Sequence, residues 1–227
     1  MAGRIAYLGN IATQGLVLNL DAAIKGSYPG TGTTWTDVSN NGNNGTLTNG
    51  PTFSSADYGS IVFDGTNDFV LGGNITGYFT NQVYASVFYK LTSAGNYPMV
   101  LTLGNADVSG EGFSFRHSET NGNIQLVLST SSTTTLSLAG SVVNQIVHVG
   151  LWYDGTNWKG YKNGVEFASA SKTGNIQFGN SPLLRLGARS DGFYFPGNIY
   201  NAQIYNRALT QAEITQNFNA LRGRYGI

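Results

Sequence analysis

With 227 residues, no cysteine and twelve basic side chains balancing twelve acidic ones, the chain can bury a substantial core without disulfides. The missing thiols exclude a stapled mini-fold, thiolate metal sites, thiol nucleophiles and iron–sulfur clusters. Charged residues make up only 11% of the chain, too few for the positive surface that a nucleic-acid duplex demands, and no apolar run is long enough for a membrane span.

Residues 1–14 are mixed in character and read as an N-terminal arm or extra strand, with the domain proper over 15–227. The opening MAGRIAYLGNIATQGLVLNLD has no clean apolar core followed by a small-residue cleavage site, so no export signal is expected. From Gly15, GLVLNLDA places Leu16, Leu18 and Leu20 on one side of a strand. Residues 25–59 read as a long loop punctuated by Pro29, Gly30 and Asn-Gly pairs starting at Asn41, Asn44 and Asn49, with Trp35 as its buried anchor.

Strand patterns follow at close spacing: SIVFD (60–64), DFVLG (68–72), VYASVFYK (83–90), PMVLTLG (98–104), GFSFRH (112–117), NIQLVLST (123–130) and TTLSLAG (134–140). VVNQIVHVGLWYDG (142–155) is the most apolar stretch and the best candidate for a central strand. Trp158 and Tyr161 precede Asn163-Gly164, the strongest hairpin signal in the chain. SPLLRLGAR (181–189) and GNIYNAQIYNRA (197–208) supply the last strands. A terminal helix is expected over 211–221: Thr210 caps it, Glu213 stands at the capping-box position, Ile214, Phe218 and Leu221 repeat at helical spacing, and Gly223 ends it. About a dozen short strands separated by turns predict an all-β, two-sheet antiparallel sandwich with one short C-terminal helix.

Five segments carry a family likeness: LVLNLDA in the first strand, TTWTDVSNNGNNGTL (33–47), SIVFDGTNDFV (60–70), LWYDGTNWKGYKNGV (151–165) and FPGNIYNAQIYNRALTQAEI (195–214). Together they resemble the concanavalin-A-like lectin/glucanase superfamily in its laminin-G-like, pentraxin-like branch. More narrowly, they are similar to laminin-G-like modules of tailed-bacteriophage structural proteins, from about Gly15 to Arg224. The resemblance implies a jelly roll of two curved antiparallel sheets, often with calcium, that binds glycans or proteins. It implies a non-enzymatic virion component: a capsid decoration, fibre or tail-associated protein, homo-oligomeric, in contact with other virion proteins and assembled in bacterial cytoplasm. The alternative is a lectin-like carbohydrate-binding protein outside any virion; a glycan hydrolase is the remote third reading. Partners are then virion proteins and a host-surface or environmental glycan, with neither nucleic acid nor membrane insertion. Residues 1–14, with Arg222, Arg224 and Tyr225, are the expected contacts with a larger particle.

Catalysis finds little footing. The four glutamates, Glu111, Glu119, Glu166 and Glu213, lack the E-x-D-x-x-E pattern of the glucanase relatives, and glycosidases need two facing carboxyls. His148 sits in an apolar strand, where a satisfied core histidine is the plainer reading, and His117 reads as a surface partner of Glu119. No catalytic residue is assigned. A structural calcium would draw oxygen ligands from loops; Asp21, Asp37 with Asn44, and Asp154 are the first places for it, against the alternative that these aspartates cap their own turns. For stacking on a sugar the candidates are Trp158, with Asn157 beside it, Tyr97 and Tyr194. Trp158 is open to a second reading, as cover for one end of the core. DGFYFPG (191–197) holds three adjacent aromatics, which cannot all face one core; Phe193 and Phe195 are given to the core and Tyr194 to the surface. Neutral charge favours an uncharged polysaccharide over an acidic one.

Overall fold

The computed structural model describes residues 11–105, 110–179 and 182–227. Positions 1–10 of the expected arm, and Ser181 at the head of an expected strand, lie outside the described residues. Sixteen strands form among these residues. The first eight are β1 (Leu16–Asp21), β2 (Thr34–Trp35), β3 (Gly45–Thr48), β4 (Thr52–Ser54), β5 (Ser60–Asp64), β6 (Phe69–Asn74), β7 (Val83–Leu91) and β8 (Met99–Leu103). The second eight are β9 (Phe113–His117), β10 (Ile124–Ser129), β11 (Thr133–Leu138), β12 (Ile146–Tyr153), β13 (Asn157–Lys162), β14 (Val165–Ser171), β15 (Leu183–Leu186) and β16 (Pro196–Tyr205). The chain ends in α1 (Gln211–Arg222), and no helix among the described residues is long and apolar enough to cross a membrane.

The strands make an all-β, two-sheet antiparallel jelly-roll sandwich. The first sheet runs β14-β13-β12-β7-β16-β5-β4, with β1 also paired to β16; the second runs β11-β10-β9-β8-β15-β6-β3-β2. β16 is the seam of the first sheet. One of its sides pairs with β7, while the other takes β5 at Pro196–Ile199 and β1 at Asn201–Tyr205. Inward residues of both sheets, among them Leu18, Val87, Leu101, Leu126, Leu151 and Leu186, merge into one fully buried cluster.

The apolar character of 142–155 has a specific cause. β12 and β7 are covered on both faces, because α1 lies on the outside of the first sheet. Tyr84 packs there with Ile214, and Phe88 with Phe218 and Leu221. Each large apolar side chain buried this way is worth about 1.5–3 kcal/mol. The capping box is present: the Thr210 hydroxyl accepts from the Glu213 amide at 3.3 Å, and the Glu213 carboxylate accepts from the Thr210 amide at 2.8 Å. Arg207 clasps the same carboxylate at 2.9 Å and donates to the Gln14 carbonyl. Asn217, on the buried face of α1, accepts from the Ala12 amide at 2.8 Å and donates to the Tyr205 hydroxyl at 2.9 Å, which itself donates to the Ala12 carbonyl.

Two expectations need correcting. The 25–59 segment is not all loop: β2, β3 and β4 lie within it, each four residues or fewer, and Trp35 at the end of β2 is fully buried. Arg224 and Tyr225 are not a free contact surface. Arg224 pairs with buried Asp21 at 2.7 Å, and Tyr225 is buried against Phe88 and Tyr200.

Candidate functional site

At one end of the sandwich the loop after β7 meets the loop before β16. Within them Asn96, Tyr97 and Phe193 adopt left-handed backbone, with φ of 46°, 49° and 62°. Aromatic residues rarely accept such angles without compensation, and backbone strain of this kind concentrates at binding sites. Here it sets the Tyr97 and Phe193 rings edge to face, 6.5 Å between centroids. A guanidinium flanks each ring: Arg116 of β9 lies 5.1 Å from the Tyr97 centroid and Arg189 lies 4.0 Å from that of Phe193.

The arrangement is braced from behind. Arg189 grips Asp191 through two bonds of 2.6 and 3.1 Å, and its backbone exchanges bonds with Gly192. The Arg189 hydrogen bond holds the Asp191 carboxyl below the usual range. Arg116 donates to Gln125 at 2.9 Å, and the Phe193 carbonyl accepts from the Met99 amide. Phe195 plugs the core against Phe63 and Tyr89, and is fully buried. Tyr97, Phe193 and Tyr194 stay half-buried, with part of each exposed to solvent. Phe193 therefore belongs to the surface cluster and not to the core.

The other stacking candidate lies elsewhere. β7 begins beside Tyr153, next to the Asp154–Asn157 turn, and ends beside Gly197, next to Tyr97 and Tyr194. Its nine residues put the two ends roughly 27 Å apart. Trp158 is fully buried in the main core and its indole N–H finds no partner. A ring with no exposed face cannot stack on a sugar, so the platform reading of Trp158 gives way to the core reading. Asn157 is exposed on its turn, where its side chain donates to the Thr156 hydroxyl.

The calcium candidates already serve as acceptors for the protein's own donors. Asp37 accepts from the amides of Asn19, Ser39 and Asn43 and from the Ser39 hydroxyl, all at 2.7–3.0 Å. Asn44 meets Asp37, but through its side-chain oxygen accepting from the Asp37 amide. Asp21 is ion-paired with Arg224, and burial raises its carboxyl. Asp154 caps its own turn, accepting from Thr156 and Asn157. Among the described residues no three His, Cys, Asp or Glu side chains are grouped to hold a metal ion. At these four positions the oxygens accept from the chain's own donors, chiefly in turns.

Two of the glutamates are held in the opposite state to a general acid. Arg207 holds Glu213 down to about 2, and Lys159 holds Glu166 below its usual range, the reverse of the raised carboxyl that glycoside hydrolysis needs. His117 is buried, bonded through Nδ1 to the Gly122 carbonyl, and does not pair with Glu119. His148 is buried too, but its Nδ1 has no partner, so it is a core histidine without being a satisfied one. Sequence reasoning passed over Arg116 and Arg189. Strand parity could have found Arg116, since Phe113 and Phe115 point inward and Arg116 must therefore point out.

A family model described as the concanavalin A-like lectin/glucanases superfamily matches residues 64–215. Domain 4 of AbnA, a GH43 extracellular arabinanase from Geobacillus stearothermophilus, in complex with arabinotriose, is similar at 20% identity with a TM-score of 0.68, over 89% of this chain and 97% of that one. The receptor binding domain of botulinum neurotoxin C/D mosaic serotype is similar at 13% identity with a TM-score of 0.71, over 92% of this chain and 52% of that one. The binding domain of botulinum neurotoxin DC in complex with SialylT gives 12% identity and a TM-score of 0.70, again over 92% and 52%. The chain thus spans about half the length of these neurotoxin domains. At such identities the likeness is one of fold. No curated protein matches the sequence.

Proposed function

Because the chain belongs to the concanavalin A-like lectin/glucanase superfamily, we propose that it is a non-catalytic, lectin-like module that binds carbohydrate at the Tyr97–Phe193 end of the sandwich. The observation that carries this is the pair of strained, half-exposed rings held edge to face between two guanidinium groups. Rings fixed before a ligand arrives lose little entropy on binding, which is what a weak stacking contact requires. Their faces suit the C–H surface of a sugar, while Asp191 and Gln125 lie close by to accept or donate hydrogen bonds to hydroxyls.

The fold neighbours lend support, one a domain in complex with arabinotriose and another in complex with SialylT. They favour this reading over the virion component, which, with its oligomer and virion partners, rests on the sequence resemblance alone. A glycan array on the purified chain tests the proposal, followed by titration of the best ligand against Tyr97→Ala and Phe193→Ala. Each change is expected to weaken binding by roughly tenfold or more and to shift the melting temperature little, since both rings are half out of the core. A blank array, or full affinity in both variants, overturns the assignment.

A further inference from the structure

Five asparagines in the chain stand directly before a glycine: Asn41, Asn44, Asn49, Asn121 and Asn163. The pairing has a chemical consequence. Glycine carries no Cβ, so its backbone nitrogen can approach the side-chain carbonyl carbon of the preceding asparagine with little hindrance. In four of the pairs the fold holds the asparagine amide away from that encounter. Asn41 donates through Nδ2 to the Leu16 carbonyl at 2.9 Å, and Asn49 donates through Nδ2 to the Asn67 carbonyl at 3.0 Å. Asn44 accepts through Oδ1 from the Asp37 amide, and Asn163 accepts through Oδ1 from the His148 amide, each at 2.9 Å.

Asn121 is the exception. It lies exposed in the turn between β9 and β10, and its side-chain amide has no hydrogen-bond partner among the described residues. The turn is pinned at its base instead. The Ser118 amide donates to the Asn123 carbonyl at 2.9 Å, the Asn123 amide donates to the Ser118 hydroxyl at 3.0 Å, and His117 Nδ1 meets the Gly122 carbonyl at 2.9 Å. Gly122 is itself required by the fold. Its φ is 62°, and a Cβ there would crowd Val143 at 3.2 Å and Ala94 at 3.4 Å. The geometry that demands glycine at 122 thus supplies an unhindered nitrogen beside an amide that nothing restrains.

We propose that Asn121 is a site of spontaneous covalent modification, converting to aspartate and isoaspartate in the folded protein ahead of the other four. The Gly122 nitrogen attacks Cγ of Asn121, and the new C–N bond closes a five-membered succinimide. The Cγ–Nδ2 bond breaks, and the proton lost by the Gly122 nitrogen departs with the side-chain nitrogen as ammonia. Water then opens the ring at either carbonyl. One opening gives aspartate; the other gives isoaspartate, whose main chain runs through Cβ and Cγ. An amide and a water have become a carboxylate and ammonium, with no change of oxidation state. The new negative charge arises next to Gly122, which packs against Ala94 in the loop that carries Tyr97. Isoaspartate also lengthens the turn by a methylene, drawing the Gly122 carbonyl away from His117.

The test compares the purified chain folded and unfolded in urea, both kept in mildly alkaline buffer. Peptide mapping by mass spectrometry follows the conversion of amide to acid at each of the five asparagines. In urea the protecting hydrogen bonds are gone, and each site reacts at the rate its local sequence sets. Folding is expected to slow Asn41, Asn44, Asn49 and Asn163 by roughly two- to tenfold or more, since each must first leave a hydrogen bond. Asn121 is expected to stay near its unfolded rate and to react first in the folded chain. Asn121→Gln, which would have to close a larger ring, is expected to remove the earliest acidic species seen on ion exchange. Asn121 slowed by folding as much as the other four overturns the inference, as does any of those four reacting ahead of it in the folded chain. Acidic species forming on the same schedule in Asn121→Gln overturn it too. None of these outcomes bears on carbohydrate binding, which the glycan array decides separately.

Discussion

Lowering the pH from 7 to 5 is expected to remove a large share of the stability of this protein through two histidines. His148 on β12 lies under α1, its ring 4.4 Å from Phe88 and 5.6 Å from Phe218. Burial pushes it down to about 3, and burial pushes His117 down to about 4 against the pull of the Gly122 carbonyl. The unfolded chain titrates each near the ordinary value of about 6.5. Because the folded values are depressed, the native state stays neutral while the unfolded state takes up protons. Stability is therefore full above about 6.5 and drains away as pH falls toward the folded values. At pH 5 the unfolded state is favoured by about 1.5 pH units per histidine, or roughly 2 kcal/mol each and about 4 kcal/mol together. The loss continues below pH 5, but carboxylates join in there. Asp21 and Asp68, raised by burial, act in the opposite sense, so variants must isolate the histidine part. Urea unfolding at both pH values should give a pH-dependent loss about 2 kcal/mol smaller in His148→Phe than in the wild type, with His148→Gln as a second variant free of any ring. A wild type equally stable at pH 7 and pH 5, or a loss undiminished in both variants, would refute the argument from burial.

Trp158→Ala should cost about 3–5 kcal/mol in urea unfolding, the penalty of emptying a large site in a packed core; a loss below about 1 kcal/mol would contradict its complete burial. Chelation with EDTA should leave the melting temperature unchanged, because Asp37 and Asp154 are occupied by the chain's own donors. A rise in melting temperature on adding calcium would expose a ligand set formed some other way.

Strands such as β7, β10 and β12 and the helix α1 were legible because their apolar residues recur at periods of two and 3.6. Thr210 and Glu213 announced the start of the helix for a local reason: the capping box involves only residues three apart. β2, β3 and β4 were hidden because two to four residues are too few to show a period, and the surrounding Asn-Gly pairs spoke for turns. Tyr97 stood out as an aromatic in a loop, but Arg116, Arg189 and Phe193 become a site only when strands distant in sequence are paired. Trp158 was decidable in principle. It sits directly across from Tyr153, and Tyr153 shares a face with Val147, Val149 and Leu151, so parity alone assigns both to the interior. Aspartates in Asn-rich turns offered no such check, since a turn cap and a calcium ligand use the same residue types.

The Ala12–Asn217–Tyr205 linkage has a bearing on how the molecule can be held. It fixes the earliest described residues beneath α1, where Ile11 packs with Leu209 and Ile214, while Tyr225 and Ile227 settle a short way off against Phe88 and Tyr200. The described residues thus begin and end on a single side, the back of the first sheet. A tether or immobilisation tag joined near Ile11 or Ile227 would grip the molecule from behind and turn the half-exposed Arg116 and Tyr97 toward the medium. Tethering through the Tyr97 loop would do the opposite, burying that surface against its support.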